Sequence, residues 1–220
     1  PLNEQDILDA IEVLKQQDVQ AVAISFVWSI RNTEHEQRAK ELIEQHMLGV
    51  FVCCGSEVYP QIKEYTRTST TLVNAYLSPV MASYVHKIDD YFKALGAEQP
   101  VRYFQSNGGL AVGNIMRERA VNAINSGPAS APQAGLYIAS AFGIDNIITV
   151  DMGGTSFDIT MAKSGRTSLN RDIDFLRIRI GVPMIHVETL GAGGGSIGHV
   201  NNFGMLEVGP QSAGATPGPA

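Results

Sequence analysis

The chain has 220 residues, of which 44% are hydrophobic and 17% charged, and this composition is typical of a globular protein with a buried core. A formal net charge of −6 argues against broad electrostatic binding to nucleic acid or to an anionic membrane. No apolar run reaches the roughly 18 residues of a membrane-spanning helix. The two cysteines, Cys53 and Cys54, are adjacent and give no disulfide framework, so we expect a cytoplasmic protein.

The first quarter of the chain predicts a strand–helix–strand unit. Asn3 is a suitable N-cap for a first helix with apolar residues at helical spacing. Residues 19–28 form an apolar run typical of a strand buried on both faces, and residues 50–54 predict another strand. Between them, Thr33 and Glu36 fit a capping box that opens a helix. Because this order implies parallel pairing, we expect an α/β fold with mixed, largely parallel sheets.

The middle of the chain predicts a long helix and several short elements. Residues 69–95 place apolar side chains on one helical face, the pattern of a core-facing stripe, at Leu72, Val73, Tyr76, Leu77, Val80, Met81, Tyr84, Val85, Ile88, Phe92 and Leu95. Pro79 lies inside this pattern and predicts a kink or a break. Residues 101–105 and 121–125 are compatible with strands, and a helix is predicted from Pro128 to about residue 142.

Two apolar runs joined by glycines follow, in the sequence TVDMGGTSFDIT at residues 149–160. This pattern predicts a β-hairpin whose backbone can approach a ligand closely and point N–H groups at an anion. Asp151 is a candidate ligand for Mg²⁺, and Asp158 either shares that role or stabilises the hairpin. On the hairpin alone, a simple glycine turn with solvent-facing acids is an equally good interpretation.

Two further glycine-rich segments are candidate site loops. Residues 191–198 (GAGGGSIG) follow an apolar strand and could surround a nucleotide or a substrate; a flexible linker is the alternative. Residues 105–110 (QSNGGL) follow a predicted strand and could contact a ligand, or could form an ordinary Asn-Gly turn. Arg67 could bind a carboxylate or a phosphate, although a structural ion pair is more common for such a residue.

Six segments in order resemble the hydantoinase A / 5-oxoprolinase family, and together they cover nearly the whole chain. They are SEVYPQIKEYTRTSTTLVNAYLSP, QSNGGL, SGPASA, DMGGTSFDI, GAGGGSI and VGPQSAGATPGPA. The resemblance implies an actin-like ATPase (ribonuclease H-like) fold that is incomplete at both ends of this chain. Residues 1–126 would be the C-terminal part of a first lobe with a long helical segment. Residues 127–220 would be a connecting helix and the start of a second lobe with its phosphate hairpin.

The same resemblance implies that ATP and Mg²⁺ are used to open a cyclic amide such as a hydantoin, 5-oxoproline or a lactam. It implies Asp151 and Asp158 as catalytic residues and Asp151 as the metal ligand. The implied nucleotide-binding residues are Gly153, Gly154, Thr155, Gly193, Gly194, Gly195 and Ser196, and the substrate-binding candidates are Ser106, Asn107, Gly108, Gly109 and Arg67. A hydantoinase B-type subunit or domain is the implied partner, within an oligomer, with no nucleic acid and no membrane.

Several alternatives stay open at the level of sequence. A carboxylase of the acetone or acetophenone type, an actin- or Hsp70-like conformational ATPase and a noncatalytic scaffold subunit share some of these features. His186 and Glu188 would lie on one face of a strand and could bind a metal, although a polar strand face is the simpler interpretation. We also expect a first Asp-x-Gly-Gly-Thr hairpin upstream of Pro1, so that residues 1–220 alone would bind ATP weakly and be inactive.

Overall fold

A computed structural model describes residues 1–175, 177–216 and 218, and the side chain of Phe175 is not described. The end of the VGPQSAGATPGPA segment (residues 217, 219 and 220) therefore lies outside the described residues. The first half of the chain contains α1 (Glu4–Gln16), β1 (Ala21–Ile24), α2 (Glu34–His46), β2 (Phe51–Cys54), α3 (Gly55–Val58), α4 (Glu64–Ala94), β3 (Arg102–Phe104), β4 (Leu110–Val112) and α5 (Gly113–Glu118).

The second half begins with a 3₁₀ helix, Ala120–Ala123, where the sequence was compatible with a strand. It continues with α6 (Ser126–Ser140), β5 (Ile147–Met152), β6 (Phe157–Lys163), β7 (Arg166–Thr167), β8 (Leu169–Asn170), β9 (Ile173–Phe175), β10 (Ile178–Ile180), β11 (Met184–Ile185), β12 (Glu188–Leu190), β13 (Ser196–Val200) and β14 (Leu206–Ser212). No helix within these described residues combines the length and the hydrophobicity that crossing a bilayer requires.

The chain divides into two compact units. Unit 1 comprises Pro1–Ile124 and Asn170–Met184, and unit 2 comprises Asn125–Leu169 and Ile185–Ala220. The sequence placed every residue after 126 in one second lobe, whereas the structure packs Asn170–Met184 with unit 1. The assignment of the two units to ATPase lobes stays a prediction.

The predicted parallel pair is present in unit 1. β1 and β2 pair in parallel from Ala21↔Phe51 to Ile24↔Cys54. The core beside them contains Ile11, Ile24, Ala39, Leu42, Ile43, Met47, Val52 and Cys54. Among the strand pairs whose register is described, the β1–β2 pair is parallel and the others are antiparallel. The mixed α/β class therefore holds, with less parallel pairing than the sequence suggested.

Glu36 has a different role from the one predicted. Thr33 makes no side-chain capping bond, so the capping box does not form. The Glu36 carboxylate is fully buried and accepts hydrogen bonds from the backbone amides of Phe26, at 2.8 Å, and Ser56, at 2.9 Å. A buried carboxylate requires such donors. Glu36 therefore ties the chain after β1 to the start of α3.

The long helix α4 is buried mainly along a polar face that the predicted apolar stripe does not include; from that stripe, Val85 is fully buried. Its buried residues are mostly polar, namely Thr66, Arg67, Ser69, Thr70, Thr71, Asn74, Ala75, Ser78 and Val85. Thr70 Oγ1 accepts the Gly181 amide at 2.8 Å, and the Asn74 amide group donates to the Glu118 carbonyl at 2.9 Å. Leu72, Tyr76, Val80 and Tyr84 are instead exposed. Pro79 lies within one continuous helix, so the predicted break is absent.

The sheet of unit 2 carries the glycine hairpin. β12, β6 and β5 lie side by side with β7 beside β6, and all pairs are antiparallel. Helix α6 packs on β5 and β6. Gly135 permits this close contact, because a Cβ there would lie 2.6 Å from Thr149 Cγ2 and 2.8 Å from Ile147 Cδ1. The helix thereby fixes the strands that end at the hairpin turn.

Candidate functional site

The predicted hairpin forms, and its turn presents free backbone donors. β5 and β6 pair as far as Met152↔Phe157, and the Gly153 amide closes the turn on the Ser156 carbonyl at 3.0 Å. Gly154 and Thr155 are exposed, and their amides have no acceptor within the described residues. The sequence proposed the Gly153 amide as a phosphate donor as well, but that amide is already engaged. Two adjacent N–H groups therefore remain available for an anion.

Two carboxylates lie beside this turn. Asp151 and Asp158 are directly opposite each other on β5 and β6, so their side chains project from the same face of the sheet. Asp151 is exposed and Asp158 is half-buried. The Thr189 hydroxyl on β12 donates to Asp158 Oδ1 at 2.6 Å. Like charges placed opposite each other repel, and this arrangement favours a cation nearby.

The second glycine loop braces the hairpin. The amide of Gly194 donates to the Gly153 carbonyl at 2.9 Å, and that of Gly195 donates to the Gly154 carbonyl at 3.0 Å. These bonds hold the two turn carbonyls toward the second loop. The structure thus brings together the two glycine segments that the sequence marked as site loops.

The amides of the second loop have acceptors within the protein, which differs from their expected use as ligand donors. The Gly193 amide donates to Ser196 Oγ at 2.9 Å, so this hydroxyl supports the loop. A Cβ on Gly193 would lie 2.6 Å from both the Gly153 oxygen and the Thr155 nitrogen. The geometry favours a bracing role for Gly193, Gly194, Gly195 and Ser196; direct contact with a nucleotide stays a prediction.

The donor set fits a magnesium-bound phosphate group. Unpaired amides at a glycine turn are suited to phosphate oxygens. Mg²⁺ in nucleotide sites commonly uses one or two carboxylates together with phosphate oxygens and water. Asp151 and Asp158 supply such a pair. Among the described residues, no cluster of three or more His, Cys, Asp or Glu side chains could hold a metal on its own.

His186 and Glu188 contact each other. His186 Nε2 lies 2.8 Å from Glu188 Oε1, and the His186 amide donates to the Ser168 carbonyl at 2.9 Å. His186 precedes β12, which begins at Glu188, so the two residues do not share a strand face as the sequence predicted. Their contact favours a polar pair over a metal site.

Arg67, a substrate-binding candidate, is inside unit 1. Its side chain is fully buried and donates to the carbonyls of Gln61, at 2.9 Å, and Phe26, at 3.0 Å, and it forms an ion pair with Glu64. A Cβ on Gly55 would lie 3.1 Å from Arg67 Cγ, so the glycine provides space for this arginine. These contacts favour a structural role that holds the loop before α4.

The segment Ser106–Asn107–Gly108–Gly109 forms the turn between β3 and β4 in unit 1. Ser106 is buried, and its hydroxyl lies 2.6 Å and 2.5 Å from the carbonyl oxygens of Asn122 and Ile124. The Gly109 amide donates to the Asn107 side chain at 2.8 Å, as in an ordinary Asn turn. A substrate contact by these four residues stays a prediction.

Unit 1 also contains a cavity of about 340 Å³ lined by Lys40, Cys53, Glu57 and Arg119, among others. Lys40 and Glu57 form an ion pair at 3.0 Å. Burial raises the pKa of the Cys53 thiol to about 11 and that of Cys54 to about 12, so neither is a thiolate near neutral pH. The cavity thus lacks an activated cysteine nucleophile, and the hairpin of unit 2 has the more specific chemistry.

Comparison with known proteins identifies the family of this chain. The hydantoinase/oxoprolinase family profile matches residues 67–220, and the profile of the N-terminal region of that family matches residues 1–47. Caprolactamase subunit alpha of Pseudomonas jessenii is 70% identical over 219 residues, covering 100% of this chain and 32% of the relative.

Two solved structures share the fold. The crystal structure of ATP-dependent caprolactamase from Pseudomonas jessenii has a TM-score of 0.87 at 70% identity and covers 100% of this chain and 32% of its own. The nucleotide-free structure of acetone carboxylase has a TM-score of 0.78 at 29% identity, over 97% of this chain and 31% of its own. This chain thus spans about a third of the length of each of these relatives. The α/β fold class of the actin-like ATPase type predicted from the sequence is confirmed.

The sequence did not single out Thr189 or the bracing contacts of the second loop. Thr189 lies just before the glycine-dense segment, and this position is the one local feature of the sequence that indicates a role in the site. Its partner Asp158 is 31 residues away in the chain. Sequence spacing alone gives no register between β6 and β12.

Proposed function

This chain belongs to the hydantoinase/oxoprolinase family, and we propose that its full-length protein is the ATP-binding component of an ATP-dependent cyclic-amide hydrolase. The family resemblance found in the sequence motifs is thereby confirmed. A lactam is the substrate class that we favour, because the 70% identical relative is named a caprolactamase subunit. Hydantoin and 5-oxoproline are the other cyclic amides in the proposal.

The observation that carries the proposal is the braced hairpin turn beside two carboxylates. The free amides of Gly154 and Thr155 would bind phosphate oxygens, and the Thr155 hydroxyl could add a third donor. Asp151 and Asp158 would hold Mg²⁺, with Asp151 as the principal ligand. Such groups act mainly by positioning phosphates and stabilising charge.

ATP would supply the driving force: its γ-phosphoryl group would pass to the amide oxygen, with release of ADP. Water would then add to the activated carbon, the ring C–N bond would break as the nitrogen takes a proton, and a second water would hydrolyse the acyl phosphate to the ring-opened acid and phosphate.

The turn amides of this chain would orient the phosphates, and its two carboxylates would hold the Mg²⁺ that offsets their charge. Residues of the longer protein would complete the site, since this chain spans about a third of the length of these relatives. We further propose a hydantoinase B-type partner subunit and oligomeric assembly. We also propose a cytoplasmic location, which the buried free thiols of Cys53 and Cys54 support.

The test uses the full-length protein assembled with its partner subunit. We expect ATP hydrolysis that requires Mg²⁺ and is stimulated by caprolactam, hydantoin or 5-oxoproline, with the ring-opened acid as product. Asp151→Asn should lower the turnover number about a hundredfold or more, because it removes the carboxylate proposed as the principal Mg²⁺ ligand. ATP hydrolysis that no cyclic amide stimulates would contradict the proposal.

A second candidate function is an ATP-dependent carboxylase, favoured by the likeness to the acetone carboxylase structure. The two reactions would share the phosphate and metal contacts of the hairpin. Bicarbonate distinguishes them, because it is a substrate of the carboxylase alone. Turnover of acetone or acetophenone that depends on bicarbonate would support this second function.

A further inference from the structure

Three neighbouring strands bring Asp151, Asp158 and Thr189 into one row. The register pairs Asp151 with Asp158 across β5 and β6, and Asp158 with Thr189 across β6 and β12. Residues directly opposite each other project from the same face of a sheet. The central carboxylate therefore has a carboxylate on one side and a hydroxyl on the other.

The hydroxyl makes one specific contact. Thr189 Oγ1 donates to Asp158 Oδ1 at 2.6 Å, which is the short distance of a bond to a charged acceptor. Among the described residues, Asp158 Oδ2 and the Asp151 carboxylate have no hydrogen-bond partner. One oxygen of Asp158 is thus held on the β12 side, and the other is left free.

This contact counteracts the repulsion between the two carboxylates of the site. Two carboxylates directly opposite each other repel, so an unrestrained Asp158 side chain would rotate away from Asp151 when no cation is bound. Fixing a side chain before binding lowers the entropy that the binding step loses. A hydroxyl donor on the far side restrains the central carboxylate without adding charge.

We propose that Thr189 is a positioning residue that holds Asp158 in the orientation needed to bind the divalent cation of a bound nucleotide together with Asp151. This inference rests on the proposed function, since it assumes that the hairpin binds a metal–nucleotide complex. Thr189 itself does not contact the cation. Its effect reaches the cation through the orientation of Asp158.

The test measures metal binding directly in the full-length protein with its partner subunit. Mn²⁺ is the probe, and its binding in the presence of ADP is followed by electron paramagnetic resonance. Thr189→Val removes the hydroxyl but keeps the shape, and we expect the Mn²⁺ dissociation constant to rise about five- to tenfold. Thr189→Ser keeps the hydroxyl and should stay within about twofold of the unmodified protein.

Two controls separate positioning from general stability. Thr167→Val makes the same change on β7 of the same sheet, where the hydroxyl has no partner among the described residues; it should leave Mn²⁺ binding unchanged. In an Asp158→Asn background, Thr189→Val should have no further effect, because the carboxylate that it positions is gone. In steady-state assays, Thr189→Val should raise the Mg²⁺ concentration for half-maximal rate and leave the KM of the cyclic amide unchanged.

Distinct results would overturn the inference. Mn²⁺ binding by Thr189→Val that matches Thr167→Val would refute it, as would a Thr189→Ser variant as weak as Thr189→Val. If Thr189→Val does not fold, Thr189→Ala tests the same loss of the hydroxyl. An unmodified protein that binds no Mn²⁺–ADP would refute the proposed function as well, whereas normal binding with an unaffected Thr189→Val refutes the positioning role alone.

Discussion

The brace between the two glycine loops makes a specific prediction for Gly193→Ala. A Cβ at this position would lie 2.6 Å from the Gly153 oxygen and the Thr155 nitrogen, and 2.7 Å from the Gly154 carbonyl carbon. Ordinary van der Waals contact begins at 3.4 Å, so the two closest contacts of this Cβ would be 0.8 Å too short. All three atoms belong to the backbone and cannot rotate out of the way. The hairpin turn and the second loop must therefore move apart.

The cost follows from the bonds that this movement breaks. The two loops share the hydrogen bonds from Gly194 to Gly153 and from Gly195 to Gly154. Each contributes about 0.5–1.5 kcal/mol, so we expect a loss of about 1–3 kcal/mol in the stability of the braced conformation. When a ligand binds only that conformation, its apparent affinity falls by the same free energy once the braced conformation has become the minor one. The dissociation constant for Mg²⁺–ADP should then rise about 5- to 150-fold.

The assay is calorimetric titration of the full-length protein with Mg²⁺–ADP, together with hydrogen exchange of the turn amides. Gly198→Ala is the matched control, because its Cβ would lie 4.0 Å from the nearest atom, the Glu207 oxygen, and both binding and exchange should be unchanged. Gly154→Ala has open space around its Cβ, so it should keep the brace yet hinder the approach of a phosphate. Normal binding by Gly193→Ala with unchanged exchange would refute the bracing role.

Three further predictions concern unit 1. Glu36→Gln should lower the free energy of unfolding by about 2–3 kcal/mol, measured by denaturant unfolding, because one of two buried amides loses its carboxylate acceptor. Gly181→Ala should lower it by about 1–3 kcal/mol, because the new Cβ would lie 2.2 Å from Cζ of the Tyr59 ring. Iodoacetamide should label Cys53 and Cys54 slowly at pH 8 and faster as the pH nears 11, because burial raises the pKa of each thiol, to about 11 and about 12.

Each of these has its own control. Glu36→Asp keeps the charge but shortens the side chain, and a stability equal to that of the unmodified protein would argue against the two measured bonds. Tyr59→Ala should largely rescue Gly181→Ala, since it removes the colliding ring; additive losses would contradict the steric explanation.

The folded-state pKa of each thiol lies above its unfolded value of about 8.5. Their contribution to stability is thus complete below that pH and is lost as the pH rises toward 11 and 12. Rapid labelling at pH 8 would contradict the burial.

Local patterns determined the elements that depend on near neighbours. Asn3 caps α1 by accepting the Gln5 amide at 3.2 Å, as its position before the first helix predicted. The two apolar runs around Gly153 and Gly154 form the hairpin in the predicted place. In both cases the partners are a few residues apart, so the sequence contains all the information that the contact needs.

The long helix α4 shows where local pattern failed. Hydrophobic periodicity selected the face with Leu72 and Tyr76, but both are exposed, whereas Thr70 and Asn74 are buried. The buried polar side chains are satisfied by backbone groups of distant residues, such as the Gly181 amide. Burial of a polar group is favourable only with such a partner, and periodicity carries no information on it.

Tertiary structure also decided how the parts of the site act together. The sequence identified the glycines at 191–195 as site residues, but it could not indicate that their amides bind the hairpin carbonyls. Nor could it place Thr189 beside Asp158, since that contact depends on the register between β6 and β12. Residue types set which hydrogen bonds are available. The pairing of strands far apart in the chain selects the ones that form.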